Sequence, residues 1–208
     1  LEILPAKSGA PTCRAGGRFL HSSLDPEREA EKILRQHAEK KAALILGGGL
    51  GYLTRAWLQA HPDAPVLVAD WDDRFPGLVE THFPGTAARP ALRMCVNPDR
   101  AAVRAFLDTL TLEELTALAV IEAPGFRAVW PDALTRCRET VSTALRESMG
   151  DRFTEWEFER IWARNILGNI PVLDRALPFA RLEGCAAGRT AVLVGAGPSL
   201  ANSLPFLK

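Results

Sequence analysis

One run constrains this chain more than any other: Ala42-Ala-Leu-Ile-Leu-Gly-Gly-Gly-Leu-Gly-Tyr52. Five apolar residues lead into a glycine cluster, and the cluster leads into an amphipathic segment. An apolar run of strand length is a strand covered on both faces. A glycine turn that opens a helix directly after such a strand is the phosphate-cradling corner of doubly wound α/β domains. The construction returns at Thr190-Ala-Val-Leu-Val-Gly-Ala-Gly-Pro-Ser-Leu200.

Between the two corners, apolar runs alternate with helical patterns. Val66–Asp70, Ala91–Val96 and Leu118–Glu122 read as strands. Helices are expected over 52–59 and 75–82, after Asn97-Pro98-Asp99 with Val103, Phe106, Leu107 and Leu110 inward, and from the capping box Thr111-Leu-Glu-Glu114. A long helix is expected from Pro131 to about Met149, with Leu134, Cys137, Val141 and Leu145 along one side. Alternation of this kind gives a Rossmann-like parallel sheet with helices on both faces, here over residues 25–150.

Residues 1–24 precede it, with a β-hairpin expected around Ala15-Gly-Gly17. Asp25-Pro26-Glu27 starts a helix that should run to about Lys41. His21 and Ser22, just ahead of it, are not needed for capping. Residues 151–188 read as a helical connector rich in large side chains, among them Phe153, Trp156, Phe158, Trp162, Ile166 and Ile170. A break is expected at Pro171, then a shorter helix over 173–182. Residues 189–208 read as the first βα unit of a second Rossmann-like domain. Starting at Leu1 and ending at Lys208, the chain reads as a piece of something longer.

Composition excludes several classes. Lysine plus arginine and aspartate plus glutamate are equal at 25 each, so no net charge favours nucleic acid or an anionic membrane. No apolar run reaches membrane-spanning length. Cys13, Cys95, Cys137 and Cys185 form no CxxC pair, and the four histidines show no ligand spacing. Reduced thiols in the cytoplasm, without a metal site, are the expectation.

Two candidate sites follow. At the first corner, Gly47, Gly49 and Gly51 let backbone approach backbone or ligand, and Asp70 ends the next strand roughly 20 residues on. A carboxylate there accepts from ribose hydroxyls in dinucleotide and S-adenosylmethionine sites, and Glu122 would edge the same crevice. The alternative is that these glycines serve only tight packing. At the second corner, amides at Gly197 and around Ser199, with a helix behind them, form a phosphate seat. Here the alternative is that Ser199 is simply an N-cap.

Several stretches together resemble the motility-associated-factor (Maf) glycosyltransferases. They are Phe19-Leu-His-Ser-Ser-Leu-Asp-Pro-Glu-Arg-Glu-Ala30, Leu46-Gly-Gly-Gly-Leu-Gly-Tyr52, Val120-Ile-Glu-Ala-Pro124, the helix carrying Phe158, Trp162, Asn165 and Asn169, and Gly195-Ala-Gly-Pro-Ser-Leu200. The resemblance implies a cytoplasmic enzyme that transfers a nonulosonic, sialic-acid-like sugar from a CMP donor to serine or threonine of flagellin. It implies a Rossmann-like amino-terminal domain followed by a catalytic domain similar to bacterial sialyltransferases. By the same resemblance Gly195, Gly197, Pro198 and Ser199 would hold the CMP-sugar phosphate, and the catalytic residues would lie beyond Lys208. Where the family often places an acidic residue after this motif, this chain has Ala201.

Two other readings compete. Gly47–Gly51, Asp70 and Glu122 suit an S-adenosylmethionine-dependent methyltransferase. The aromatic helix at 153–170 suits a non-catalytic domain that binds flagellin or forms a homo-oligomer.

Overall fold

The computed structural model describes residues 1–173, 175–176, 178–190, 194–195 and 197. The chain divides into two compact units, Leu1–Glu157 and Phe158–Lys208.

The first unit opens with an antiparallel sheet of β1 (Glu2–Pro5), β2 (Pro11–Ala15) and β3 (Arg18–Phe19). The expected hairpin is β2–β3, turning on Gly16 and Gly17, both at positive φ. β1 is an additional strand, paired from Glu2↔Arg14 to Pro5↔Pro11. Both prolines sit at the ladder's end, where a missing N–H costs least.

α1 (Pro26–Leu34) starts as its sequence dictates: the Asp25 side chain accepts from the Arg28 amide, and Pro26 occupies the first turn. It ends at Leu34 and passes into a 3-10 turn, Arg35–His37, instead of continuing to Lys41. Asp25→Ala should therefore lower stability by about 1 kcal/mol, read as a lower urea midpoint.

The main sheet is parallel, in the order β6-β5-β4-β7, from β4 (Ala42–Leu46), β5 (Val66–Asp70), β6 (Leu92–Val96) and β7 (Leu118–Glu122). The connecting helices are α2 (Tyr52–Ala60), α3 (Phe75–His82), α4 (Arg100–Leu107) and α5 (Leu112–Thr116). β4 is buried at every residue because helices cover both sides. Ala43 and Ile45 face a cluster with Leu53, Trp57, Val68, Ile121 and Phe126. Ala42, Leu44 and Leu46 face another with Val103, Phe106, Leu134 and Val141. Each large side chain so enclosed contributes about 1.5–3 kcal/mol.

β4 is central: β5 lies on one side and β7 on the other. The strand order therefore reverses at the carboxyl ends of β4 and β7, where open α/β sheets place ligands. Directly after β7 the chain enters a short helix, α6 (Pro124–Val129). α7 (Pro131–Leu173) follows and continues through Gly150 and Pro171, so the breaks expected there do not occur. Gly150 costs about 1 kcal/mol in a helix but does not forbid it. Pro171 stands two residues from the helix end, where the distorted turn is the last one. In the second unit the short helix expected over 173–182 is a 3-10 turn at Phe179–Leu182. Most of the expected strand Ala191–Val194 lies outside the described residues. Among the described residues no helix is long and apolar enough to cross a membrane.

Candidate functional site

At the reversal point the glycine corner has its expected backbone but an unexpected filling. Gly47, Gly49 and Gly51 have φ of 88°, 56° and 94°, in the region that favours glycine. What crowds them is the chain's own side chains. A Cβ on Gly47 would sit 2.3 Å from Cγ of Phe126, and one on Gly49 would sit 2.4 Å from Nε2 of His21. A Cβ on Gly48 would meet Val68 at 2.3 Å and the Asp70 carboxylate at 3.0 Å. The three glycines Gly47–Gly49 thus make room for Phe126, Asp70 and His21.

The amides of the corner are likewise engaged. Gly49 N–H donates to both carboxylate oxygens of Asp70, each at 3.2 Å. Leu50 N–H donates to His21 Nε2 at 2.9 Å. The accepting Nε2 carries no proton, so the neutral imidazole has its hydrogen on Nδ1. His21 is 5% exposed, and burial pushes its pKa down to about 4. Asp70 is 1% exposed, and burial lifts its pKa to about 8 against the opposing pull of the Gly49 and Gly48 amides. Both groups are therefore neutral near pH 7, and neither is presented to solvent.

The segment that delivers His21 is bound on every side. The Thr12 hydroxyl donates to the His21 carbonyl at 3.0 Å. Ser22 N–H donates to Glu29 at 2.9 Å, and Ser22 Oγ accepts from the amides of Leu24 and Asp25. The Leu20 carbonyl lies 2.3 Å from where a Cβ on Gly125 would be. So the run Leu20–Glu29 and the turn Ala123–Phe126 form one clasp across the carboxyl ends of β4 and β7. Ser22, not needed to cap α1 itself, shapes the turn that leads to its cap.

Phe126 is the residue that pattern reading passes over. It is fully buried, with ring centroids of Trp71 at 5.7 Å, Phe75 at 5.8 Å, Trp130 at 5.4 Å and His21 at 6.4 Å. Its one sequence signal is Pro124-Gly125, which opens a helix immediately after a strand.

Glu122 stands at the end of β7 but turns to two arginines, accepting from Arg127 and Arg138 at 2.8 Å each. Burial pushes its carboxyl up, and the two guanidinium groups outweigh this and hold it below its usual range.

At the second corner, no atom of the described residues lies within 4 Å of where a Cβ on Gly195 or Gly197 would be. Pro198 and Ser199 lie outside the described residues. Among the described residues no three His, Cys, Asp or Glu side chains converge as metal ligands. All four cysteines are free, Cys13 and Cys137 buried and Cys185 exposed.

No family model matches the chain. It is 28% identical over 212 aligned positions to an uncharacterised protein of Treponema pallidum (strain Nichols), covering 99% of this chain and 72% of that one. A crystal structure of a proposed O-methyltransferase from Nostoc punctiforme overlaps 53% of this chain and 41% of its own, with 16% identity and a TM-score of 0.29. The chain thus spans less than half of that structure, and an overlap so slight carries no functional argument.

Proposed function

We propose that residues 1–157 are a non-catalytic recognition or assembly domain, the amino-terminal part of a flagellin glycosyltransferase of the Maf type. The observation that carries the non-catalytic reading is the occupied corner. Gly49 and Leu50 amides are bound by Asp70 and His21, and Phe126 fills the space beside Gly47. A dinucleotide or S-adenosylmethionine would have to displace three buried side chains and leave their partners unpaired, a cost of about 1–3 kcal/mol for each orphaned polar group. An apolar surface supports a binding role: Phe153 and Trp156 on α7 are 62% and 74% exposed.

The glycosyltransferase part of the proposal rests on the motif resemblance. In it the donor is a CMP-activated nonulosonic acid, seated at Gly195, Gly197, Pro198 and Ser199 of the following domain, in the cytoplasm. The methyltransferase reading requires Asp70 to face an open crevice, and its burial favours the recognition reading.

Calorimetric titration of the chain with S-adenosylmethionine, CMP and purified flagellin, in parallel, tests this. Flagellin should bind, and S-adenosylmethionine should leave both heat and melting temperature unchanged. Stabilisation by S-adenosylmethionine would overturn the non-catalytic reading. Absence of flagellin binding would overturn the Maf assignment.

A further inference from the structure

A groove runs between α1 and the outer face of the clasp. It is a cavity of about 760 Å³, lined by Leu24, Arg28, Glu29, Lys32, Ile33 and Arg35 among others. Arg28, Lys32 and Arg35 recur at helical spacing and are all exposed. The spacing places them along one face over about 10 Å at 1.5 Å per residue. None has an ion-pair partner among the described residues.

The acidic groups of the same wall are already committed. Asp25 accepts from the Arg28 amide and Glu29 from the Ser22 amide. The amide bonds fix these two carboxylates in place without cancelling their charge, so the groove carries one net positive charge, with its three cations exposed along one wall and unpaired among the described residues. Leu24, 57% exposed, and the half-buried Ile33 add an apolar strip to the basic one.

We propose that this groove binds an extended acidic peptide segment with interspersed apolar side chains, supplied by a protein partner. Charge complementarity sets the sign of the partner. A row of three cations fits a line of carboxylates better than one compact anion. In the first turn of α1, where amides would cradle a phosphate, Pro26 has no N–H and the Arg28 amide is engaged by Asp25. The apolar strip gives alternate side chains a place to pack. This inference rests on the reading of residues 1–157 as a binding module, and it names the chemistry of what is bound.

The probe is a fluorescein-labelled peptide alternating glutamate and leucine, titrated by anisotropy into the full 208-residue chain. Binding should weaken about tenfold as salt rises from about 50 to 300 mM. The triple reversal Arg28→Glu, Lys32→Glu, Arg35→Glu should weaken it at least about tenfold, and the triple glutamine variant by an intermediate factor. Reversal of Arg160, Arg164 and Arg181, exposed on the second unit, should leave it unchanged. Because all six side chains are exposed, every variant should keep the wild-type urea midpoint, and the glutamine variant carries the test if charge reversal perturbs folding.

Equal loss in both reversal variants would overturn the proposal. So would no binding at about 1 mM peptide, displacement of the peptide by inorganic phosphate, or equal affinity for a polyglutamate lacking leucine. Binding to phosphatidylglycerol vesicles without binding to the peptide would assign the groove to a membrane surface and overturn it as well. The peptide reads the α1 groove alone, whereas the S-adenosylmethionine titration reads the glycine corner. Either can fail while the other stands.

Discussion

Gly125→Ala is expected to destabilise the first unit by about 3 kcal/mol or more, the upper range for overpacking into a site that cannot yield. The three atoms nearest to a new methyl are all backbone. The Leu20 carbonyl oxygen lies at 2.3 Å, with the Leu20 carbonyl carbon and Cα at 2.6 Å. A flexible side chain could rotate away, but this segment cannot, because Leu20 N–H donates to the Cys13 carbonyl and the next residue seats His21 on Leu50. Relief of the clash must separate α6 from the clasp, and that exposes Phe126 and its aromatic neighbours together. Gly77→Ala is the matched control. Gly77 lies inside α3 at an ordinary φ, and among the described residues nothing stands within 4 Å of its added Cβ. It should gain about 0.5–1 kcal/mol from helix propensity. Urea denaturation of both variants checks the pair. A Gly125→Ala cost below about 1 kcal/mol would mean that the clasp is not a rigid contact.

The same comparison marks where sequence reading reaches and where it stops. β4 and β5 were legible because burial on both faces forces unbroken apolar runs such as Ala42–Leu46, and the edge strand β7 through its apolar run Leu118–Ile121 although Val120 is exposed. α1 and α5 announced themselves through Asp25 and the Thr111–Glu114 capping box, both local devices confirmed at those residues. The glycines of the corner were legible as places of close approach. What approaches them was not, because His21 and Phe126 come from opposite sides of β4 in sequence and meet Gly49 and Gly47 only after the sheet has closed. Crowded glycines read the same whether a ligand or a phenyl ring does the crowding. Asp70 shows this ambiguity most plainly. Its position after β5 matches an acidic ribose partner, yet its carboxylate turns inward to the Gly49 amide. The strand β1 was hidden by Pro5 and Pro11, residues that argue against a strand except at a ladder's end. The continuous α7 was hidden by Gly150 and Pro171, residues that weaken a helix without ending it here.

The inward pair makes the second large prediction, in the pH dependence of stability. Asp70 is raised from 3.8 to about 8, so the folded state keeps a proton that the unfolded state gives up. Its contribution is complete below pH 3.8 and is lost as pH rises through 8. His21 is lowered from 6.5 to about 4, so its contribution is complete above pH 6.5 and is lost as pH falls through 4. Between about pH 4 and 6.5 the folded chain holds one proton on Asp70 and the unfolded chain holds one on His21, so the two slopes cancel. From about pH 6.5 to 8 only the Asp70 difference remains, and wild-type stability should fall by about 2 kcal/mol at 1.4 kcal/mol per unit.

Single variants remove the cancellation. Asp70→Asn keeps a carbonyl oxygen for the Gly49 amide and leaves His21 alone. Its stability should rise by about 3 kcal/mol from pH 4 to 6.5 and then stay level. His21→Gln leaves Asp70 alone, and stability should fall by about 5 kcal/mol between pH 4 and 8. The neighbouring ionisable groups do not imitate this pattern. Burial holds the Cys13 thiol and the Tyr52 hydroxyl up to about 12, and Arg74 holds Asp72 below its usual value. Glu29, raised by burial, is present in all three proteins and drops out of the comparison. Urea titrations at a series of pH values decide the matter. Parallel profiles for the wild type and Asp70→Asn would mean that Asp70 is ionised in the folded chain. The corner would then hold a buried carboxylate charge beside the glycine amides, and the seat would be one that an anionic ligand could take over by exchange.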